Sequence, residues 1–396
     1  MRRLVLALAG ALVLGACTEE LTTPGSCPTL CPGGTPAVRD TVLTAVVGGD
    51  SAFTGYSAIV DGVSLLVSNG GALGETISMV RFNPRGDSVL VVDSLRPFTI
   101  DSVVISLFLQ ARDTTVSPLF LDVYRLPASF DSTVSFAEVS AAMTPGQLLR
   151  SVTIVDSARS GRLPIVFDGA DLAKFAFTPA DSTRLVIGLR LRSASPAGAY
   201  FGAGLGGDAT PLYLTYARVN VADTALQRQT IQRAVAQNLT LPASAMPLDP
   251  DLLRVGGFPA ARALVRFTLP PYLRDSATII RATLELVPNG AVTGIPGDSA
   301  RIDVRGLLTD FGAKSPVTTT RSASAWVRTG SDTVRVEIAS LVELWQGSAG
   351  LPNAVRLSLG QEFASFVAPR FRSTRSGGGG PRLRITYRPP YGVRNF

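Results

Sequence analysis

Five short segments recur in the same order further along the chain. "TVLTAVV" at 41–47 matches "TIQRAVA" at 230–236, "LLVSNGG" at 65–71 matches "LLRVGGF" at 252–258, and "MVRFNP" at 79–84 matches "LVRFTL" at 264–269. "LDVYRL" at 121–126 matches "IDVRGL" at 302–307, and "LYLTY" at 212–216 matches "LRITY" at 383–387. The offset drifts from 189 to 171 along the chain. Loops gain and lose residues while the elements they join keep their order, so such a drift marks a duplicated structural unit.

The duplicated unit is built of strands. Short alternating runs such as "DSVLVVDS", "SVVISLFLQ", "RLVIGLRLRS" and "AVRLSLG" are rich in Val, Ile and Leu and are broken by Gly, Pro, Asn and Asp. Helical pattern is scarce; "SFAEVSAAM" and "LVELWQG" each have room for a turn or two. "DTALQRQTIQRAVAQNL" at 223–239 is helix-like in composition, but its counterpart "DTVLTAVVGG" is strongly β, which predicts a strand over 229–236. With 396 residues, 46% of them hydrophobic, the chain can bury two cores. The expectation is an all-β protein of two tandem antiparallel β-sandwich, jelly-roll-like domains, 40–220 and 225–390.

The start of the chain is a separate matter. "MRRLVLALAGALVLGAC" places Arg2 and Arg3 before an apolar run from Leu4 to Leu14, then small residues before Cys17. This reads as a secretory signal, too short for a stable membrane span. "LGAC" resembles the lipobox of bacterial lipoproteins. That resemblance implies that residues 1–17 are a lipoprotein signal with Cys17 as the lipidated residue and a membrane partner held through the lipid; ordinary secretory cleavage is the alternative. Thr18 in place of Asp implies sorting to the outer membrane, on its periplasmic or surface face. Residues 18–39 read as a Pro/Gly-rich tether, in which Cys27 and Cys31 are expected to form a local disulfide in an oxidising compartment.

Charge and residue types exclude several chemistries. There is no His, so Ser-His-Asp and Cys-His arrangements cannot form. Neither Lys174 nor Lys314, the two lysines, follows the glycines of a phosphate loop. No catalytic residue, metal or cofactor is assigned, and a nucleic-acid role is not expected. The acidic residues sit mostly in "DS" and "DT" pairs at strand edges, where Asp serves turns. Arg85-Gly86-Asp87 is an adhesive-type tripeptide that reads as a turn, and Asp249 and Asp251 are weak candidates for calcium.

In the second repeat, "ALVRFTLPPYLRDSATIIRATLEL" at 263–286, "VEIASLVELWQGSAGLPNAVRLSL" at 336–359 and "FRSTRSGGGGPRLRITY" at 371–387 come in order. Together they resemble the signatures of the DNRLRE domains. The resemblance covers most of 226–388 and implies a β-sandwich like those of carbohydrate-binding modules on exported bacterial proteins. The first repeat shares the skeleton more loosely, with Phe175 where the second has Trp345. Leu341, Leu344 and Trp345 share one helical face, so Trp345 is expected in the core. Trp326 and Tyr272, in looser contexts, are the expected surface aromatics.

The glycines of "RSTRSGGGGPRLRITY" have a counterpart in "FGAGLGGDATPLYLTY", so they read as a turn into the last strand rather than a phosphate cradle. The arginines have no such counterpart. Residues 351–396 hold eight Arg and one acid, Glu362. Alternation puts Arg382, Arg384 and Arg388 on one strand face, and Arg370 and Arg372 flank Phe371. These five are the candidate anionic-ligand face, for an acidic polysaccharide, the phosphates of outer-membrane lipid or an envelope protein; a solvated strand in a chain biased toward Arg is the alternative. The expected function is a non-enzymatic surface lipoprotein that binds glycans or adheres. The alternatives are an envelope scaffold without a small ligand and, last, a glycan-degrading enzyme.

Overall fold

A computed structural model describes residues 38–389 apart from 58–60, 92, 178–183, 204–208, 223–224, 246, 329 and 349. Cys17, Cys27 and Cys31, the stretch expected to be a signal and nearly all of the expected tether lie outside the described residues. The first strands are β1 (Arg39–Thr44), β2 (Ser51–Tyr56), β3 (Ser64–Asn69), β4 (Glu75–Phe82), β5 (Ser88–Val91) and β6 (Ser94–Arg112). They are followed by β7 (Leu119–Leu126), β8 (Leu148–Ile154), β9 (Gly161–Asp168), β10 (Val186–Arg192), β11 (Gly198–Gly202) and β12 (Leu212–Ala222). Next come β13 (Ala225–Arg233), β14 (Val235–Pro242), β15 (Leu252–Arg254), β16 (Ala260–Arg266), β17 (Thr278–Leu286) and β18 (Ala300–Leu307). The last are β19 (Val317–Val327), β20 (Val334–Glu337), β21 (Ala354–Leu359), β22 (Arg370–Arg372) and β23 (Arg382–Arg388). Three short α-helices intervene: α1 (Phe136–Ala142), α2 (Pro271–Asp275) and α3 (Ala339–Gly347). The protein is all-β, with antiparallel pairing throughout the described strands.

The sheets carry the duplication. In the second half, one sheet has the order β19-β18-β21-β16-β2 and the other β1-β23-β17-β20. In the first half the corresponding paths are β8-β7-β10-β4-β14 and β13-β12-β6-β9, joined through β11 and β3 into one curled sheet. Each five-strand path faces its four-strand partner across an apolar core. The main cluster of the first half runs from Leu65 to Val235, and that of the second from Leu253 to Tyr387 with Ala45 added.

Sheet membership does not follow the division 40–220 and 225–390. The first two strands of each repeat pair with the other repeat. β1 lies along β23, with Leu43 opposite Leu383, and β2 lies along β16. Reciprocally, β13 lies along β12 and β14 along β4, with Asn238 opposite Val80. The segment predicted as strand over 229–236 therefore forms two strands broken at Ala234. The alternation of "TVLTAVV" and "TIQRAVA" specified a strand and its buried face, but a strand finds its neighbour by tertiary packing, which period-2 alternation does not encode.

Local features have plain causes. The Ser135 hydroxyl accepts from the Glu138 amide while Glu138 accepts from the Ser135 amide, a capping box that starts α1. Trp345 and Phe175 are both fully buried, in the equivalent place of each half. Arg85 is buried and donates to the Tyr213 hydroxyl at 3.0 Å, so the Arg-Gly-Asp tripeptide does not present its arginine. Asp249 accepts from the Asp251 amide at 2.9 Å, closing a turn.

Candidate functional site

A cavity of about 420 Å³ opens at the outer face of the five-stranded sheet of the second half. Its lining includes Tyr200, Asp298, Arg301, Trp326, Gln361 and Ser365. Trp326 is on β19, the edge strand, and is 62% exposed. Arg301 on β18 is directly opposite Trp326 in the ladder. A Cβ added at Gly360 would come within 2.8 Å of Arg301 Nε, so a glycine at 360 leaves the guanidinium room to lie across the end of β21. Arg301 Nε also reaches Asp303 at 3.3 Å.

The floor of the cavity joins the two halves. Tyr200 comes from β11, and its hydroxyl donates to Asp298 Oδ2 at 2.8 Å while accepting from the Phe366 amide at 3.0 Å. The Ile295 amide donates to the same carboxylate oxygen at 3.2 Å. The Tyr200 ring stacks on Phe366 with centroids 5.3 Å apart. Burial pushes the Asp298 carboxyl above the usual carboxylate range, and the Tyr200 and Ile295 hydrogen bonds offset only part of that. Burial, then the neighbouring Asp298 charge, pushes the Tyr200 phenol up as well.

Of the two aromatics predicted for a surface role, Trp326 lines the cavity and Tyr272 does not. The sequence around Trp326 is loop-like because β19 is "VTTTRSASAWV", a Ser- and Ala-rich edge strand whose apolar alternation is faint. Tyr272 is on α2, 47% exposed, with its ring 5.7 Å from that of Tyr387. The sequence does not single out Tyr200, Asp298 or Arg301; a buried Tyr facing a half-buried Asp from a strand about a hundred residues away leaves no local signal.

The five predicted arginines do not share one face. Arg382, Arg384 and Arg388 do project from the same side of β23, all exposed. Acids on neighbouring strands reach into that side: Arg384 Nε is 3.7 Å from Glu285, which also takes Arg335 at 3.5 Å, and Arg281 pairs with Glu337 at 3.0 Å. Arg370 and Arg372 are on β22, in the separate two-stranded sheet with β15. The glycines between them turn the chain from one sheet to the other, with positive φ at Gly377, Gly378 and Gly379. That turn is tied down by Asp50, which accepts from the Thr374 amide at 2.6 Å and from its hydroxyl at 2.5 Å.

No family model matches the chain, and no curated protein matches it. A chain in the structure of the Macrobrachium rosenbergii nodavirus is similar at 9% identity over 93% of this chain and 97% of that one, with a TM-score of 0.17. At that score the likeness carries no argument.

Proposed function

We propose that the protein is a non-enzymatic glycan-binding module of an exported lipoprotein, anchored through Cys17 at the outer membrane. The observation that carries this reading is the pairing of Trp326 with Arg301 at the mouth of the cavity. An exposed indole offers a flat apolar surface for the C–H faces of a sugar ring. Arg301, Gln361, Ser299 and Ser365 supply donors and acceptors around it, the mix of one apolar plate and a few polar groups that small-ligand sites use. Among the described residues the lining contributes one carboxylate, Asp298, whereas glycoside hydrolysis by the usual route uses two.

The test is a glycan array probed with the whole chain carrying Cys17→Ser, beside the same chain with Trp326→Ala. Binding that falls at least tenfold in the Trp326→Ala chain, with an unchanged melting temperature, supports the reading. Equal binding by both chains, or none by either, overturns it in favour of an envelope scaffold.

A further inference from the structure

The outer faces of the two five-strand paths are equivalent positions finished in opposite ways. In the first half, Tyr124 on β7 is opposite Gly188 on β10. That face is covered: α1 lies over it, and Ile77, Met79, Leu126, Val139, Met143 and Val186 form a buried apolar cluster. A Cβ at Gly188 would meet Met143 at 2.4 Å. In the second half the equivalent positions are Arg305 on β18 and Arg356 on β21, directly opposite one another. The loop from β18 to β19 is shorter and brings no α-helix over them. The fold therefore does not require arginine at these positions, since the sister half fills them with Tyr and Gly.

Two like charges directly opposite on adjacent strands destabilise a sheet. The nearby Glu362 charge offsets this only in part, since burial and the Arg262 charge outweigh it at Arg356. Both side chains are half-buried, and both Nε atoms are shut off from solvent without a hydrogen-bond partner. The acid at hand, Glu362, is committed elsewhere: both its oxygens accept from Arg262, at 2.8 and 2.6 Å, and Arg262 in turn lies 3.9 Å over the Tyr56 ring. Burial, followed by the Arg262 charge, holds the Arg356 guanidinium below its ordinary value, with Arg305 adding to the effect and Glu362 opposing it. An arginine pair so placed lacks only an acceptor, and planar guanidinium forks match the oxygens of carboxylate and sulfate.

We propose that Arg305 and Arg356 form a clamp for one oxyanion group, a carboxylate or sulfate carried by the bound glycan. Arg305 shares its strand and face with Arg301, four residues away, which is about 13 Å at strand rise. A chain of sugars seated on Trp326 and Arg301 therefore reaches the clamp a few rings further on, without leaving the sheet face. The ligand class rests on the glycan reading above; the clamp itself rests on the arginine pair.

The experiment separates the two. The whole chain carrying Cys17→Ser is melted in sodium sulfate and in sodium chloride at matched ionic strength, beside Arg305→Gln/Arg356→Gln. Sulfate is expected to raise the melting temperature of the parent by several degrees more than that of the double variant, which keeps only the general stabilisation that sulfate gives any folded chain. The double variant is expected to melt no lower than the parent in chloride, because it loses a repulsion. Equal response of both chains to sulfate overturns the clamp. On the array, the double variant should lose at least tenfold for uronic or sulfated glycans and keep binding to neutral ones. Trp326-dependent binding with no preference for acidic glycans overturns the clamp and leaves the glycan reading standing. A clamp that takes sulfate in a chain that binds no glycan overturns the glycan reading and leaves the clamp.

Discussion

The hydroxyl of Tyr200 donates to Asp298 at 2.8 Å across the join between the two halves of the molecule. Tyr200 is buried and Asp298 half-buried, and each would be costly without the other. Around them Leu66, Leu73, Phe258, Ile295 and Phe366 form a separate apolar cluster drawn from both halves. The cavity that carries Trp326 thus has a floor shared by both halves and walls from the second.

That pair gives the protein a pH dependence with a definite sign. The folded state raises the Asp298 carboxyl above its unfolded value, so it binds the proton more tightly than the unfolded chain does. Stability contributed by this group is present at low pH and is lost as pH rises from the ordinary carboxylate value through the raised folded one. Asp298→Asn removes the titration and keeps an acceptor for Tyr200. Melting temperatures of parent and variant should match in acid and diverge towards neutrality, with the variant the more stable. Parallel curves would show that the carboxyl is not perturbed. Tyr200→Phe leaves the Phe366 amide without its acceptor and should cost about 1–3 kcal/mol.

The exchange of strands predicts which fragments fold. Residues 62–245 include every strand of the curled sheet, β3 to β14. Residues 225–396 lack β1 and β2, which border β23 and β16, and instead carry β13 and β14, whose partners β12 and β4 are missing. The first fragment should show a cooperative melt. The second should be unfolded or aggregated, because it exposes the edges of two strands along their length. Adding a peptide of residues 38–57 to a fragment of residues 247–396 should restore folding. A cooperative melt of 225–396 alone would show that β1 and β2 are dispensable.

How far the sequence reached follows from the same residues. Alternation identified most strands, because the buried face of a strand is written in every second residue, and the repeat extended the reading to the helix-like 223–239, whose counterpart is strongly β. Which strand lies beside which is not so written: Arg305 and Arg356 are adjacent in the sheet and 51 positions apart in the chain. Arg372 and Arg382 looked like parts of one basic face because they are close in sequence, but the glycine turn between them changes sheets. Trp326 was legible as a tryptophan without an apolar setting. Its partner Arg301 was one arginine among many until the ladder placed them together.

Anchoring is tested independently of the fold. If Cys17 carries the lipid, Cys17→Ser releases the protein from the membrane fraction and abolishes labelling with a fatty-acid probe. No helix among the described residues is long and apolar enough to cross a membrane, so the described helices offer no second anchor of that kind. A variant that remains membrane-bound at the parent's level would refute lipidation as the anchor.

The two arginine sets make separable predictions. The β23 set is exposed, and the acids Asp40, Glu285 and Glu337 share its sheet face, so its field reaches a ligand through water and is screened within about 8–10 Å at physiological salt. Such charges govern the rate of encounter more than the lifetime of a complex. Arg382→Gln/Arg384→Gln/Arg388→Gln should therefore slow association with an acidic glycan at low salt and leave dissociation nearly unchanged. The melting temperature should hardly move, since exposed side chains contribute within about 0.5 kcal/mol. The Arg305/Arg356 pair is half-buried, where screening is weaker, so its double Gln variant should speed dissociation and leave the salt dependence of association as it was. Surface plasmon resonance against an immobilised acidic polysaccharide, run at two salt concentrations, reads both rates. If the β23 variant alone speeds dissociation, the ligand's charge is held on β23, and the sheet face carrying Trp326 is not where the acidic group binds.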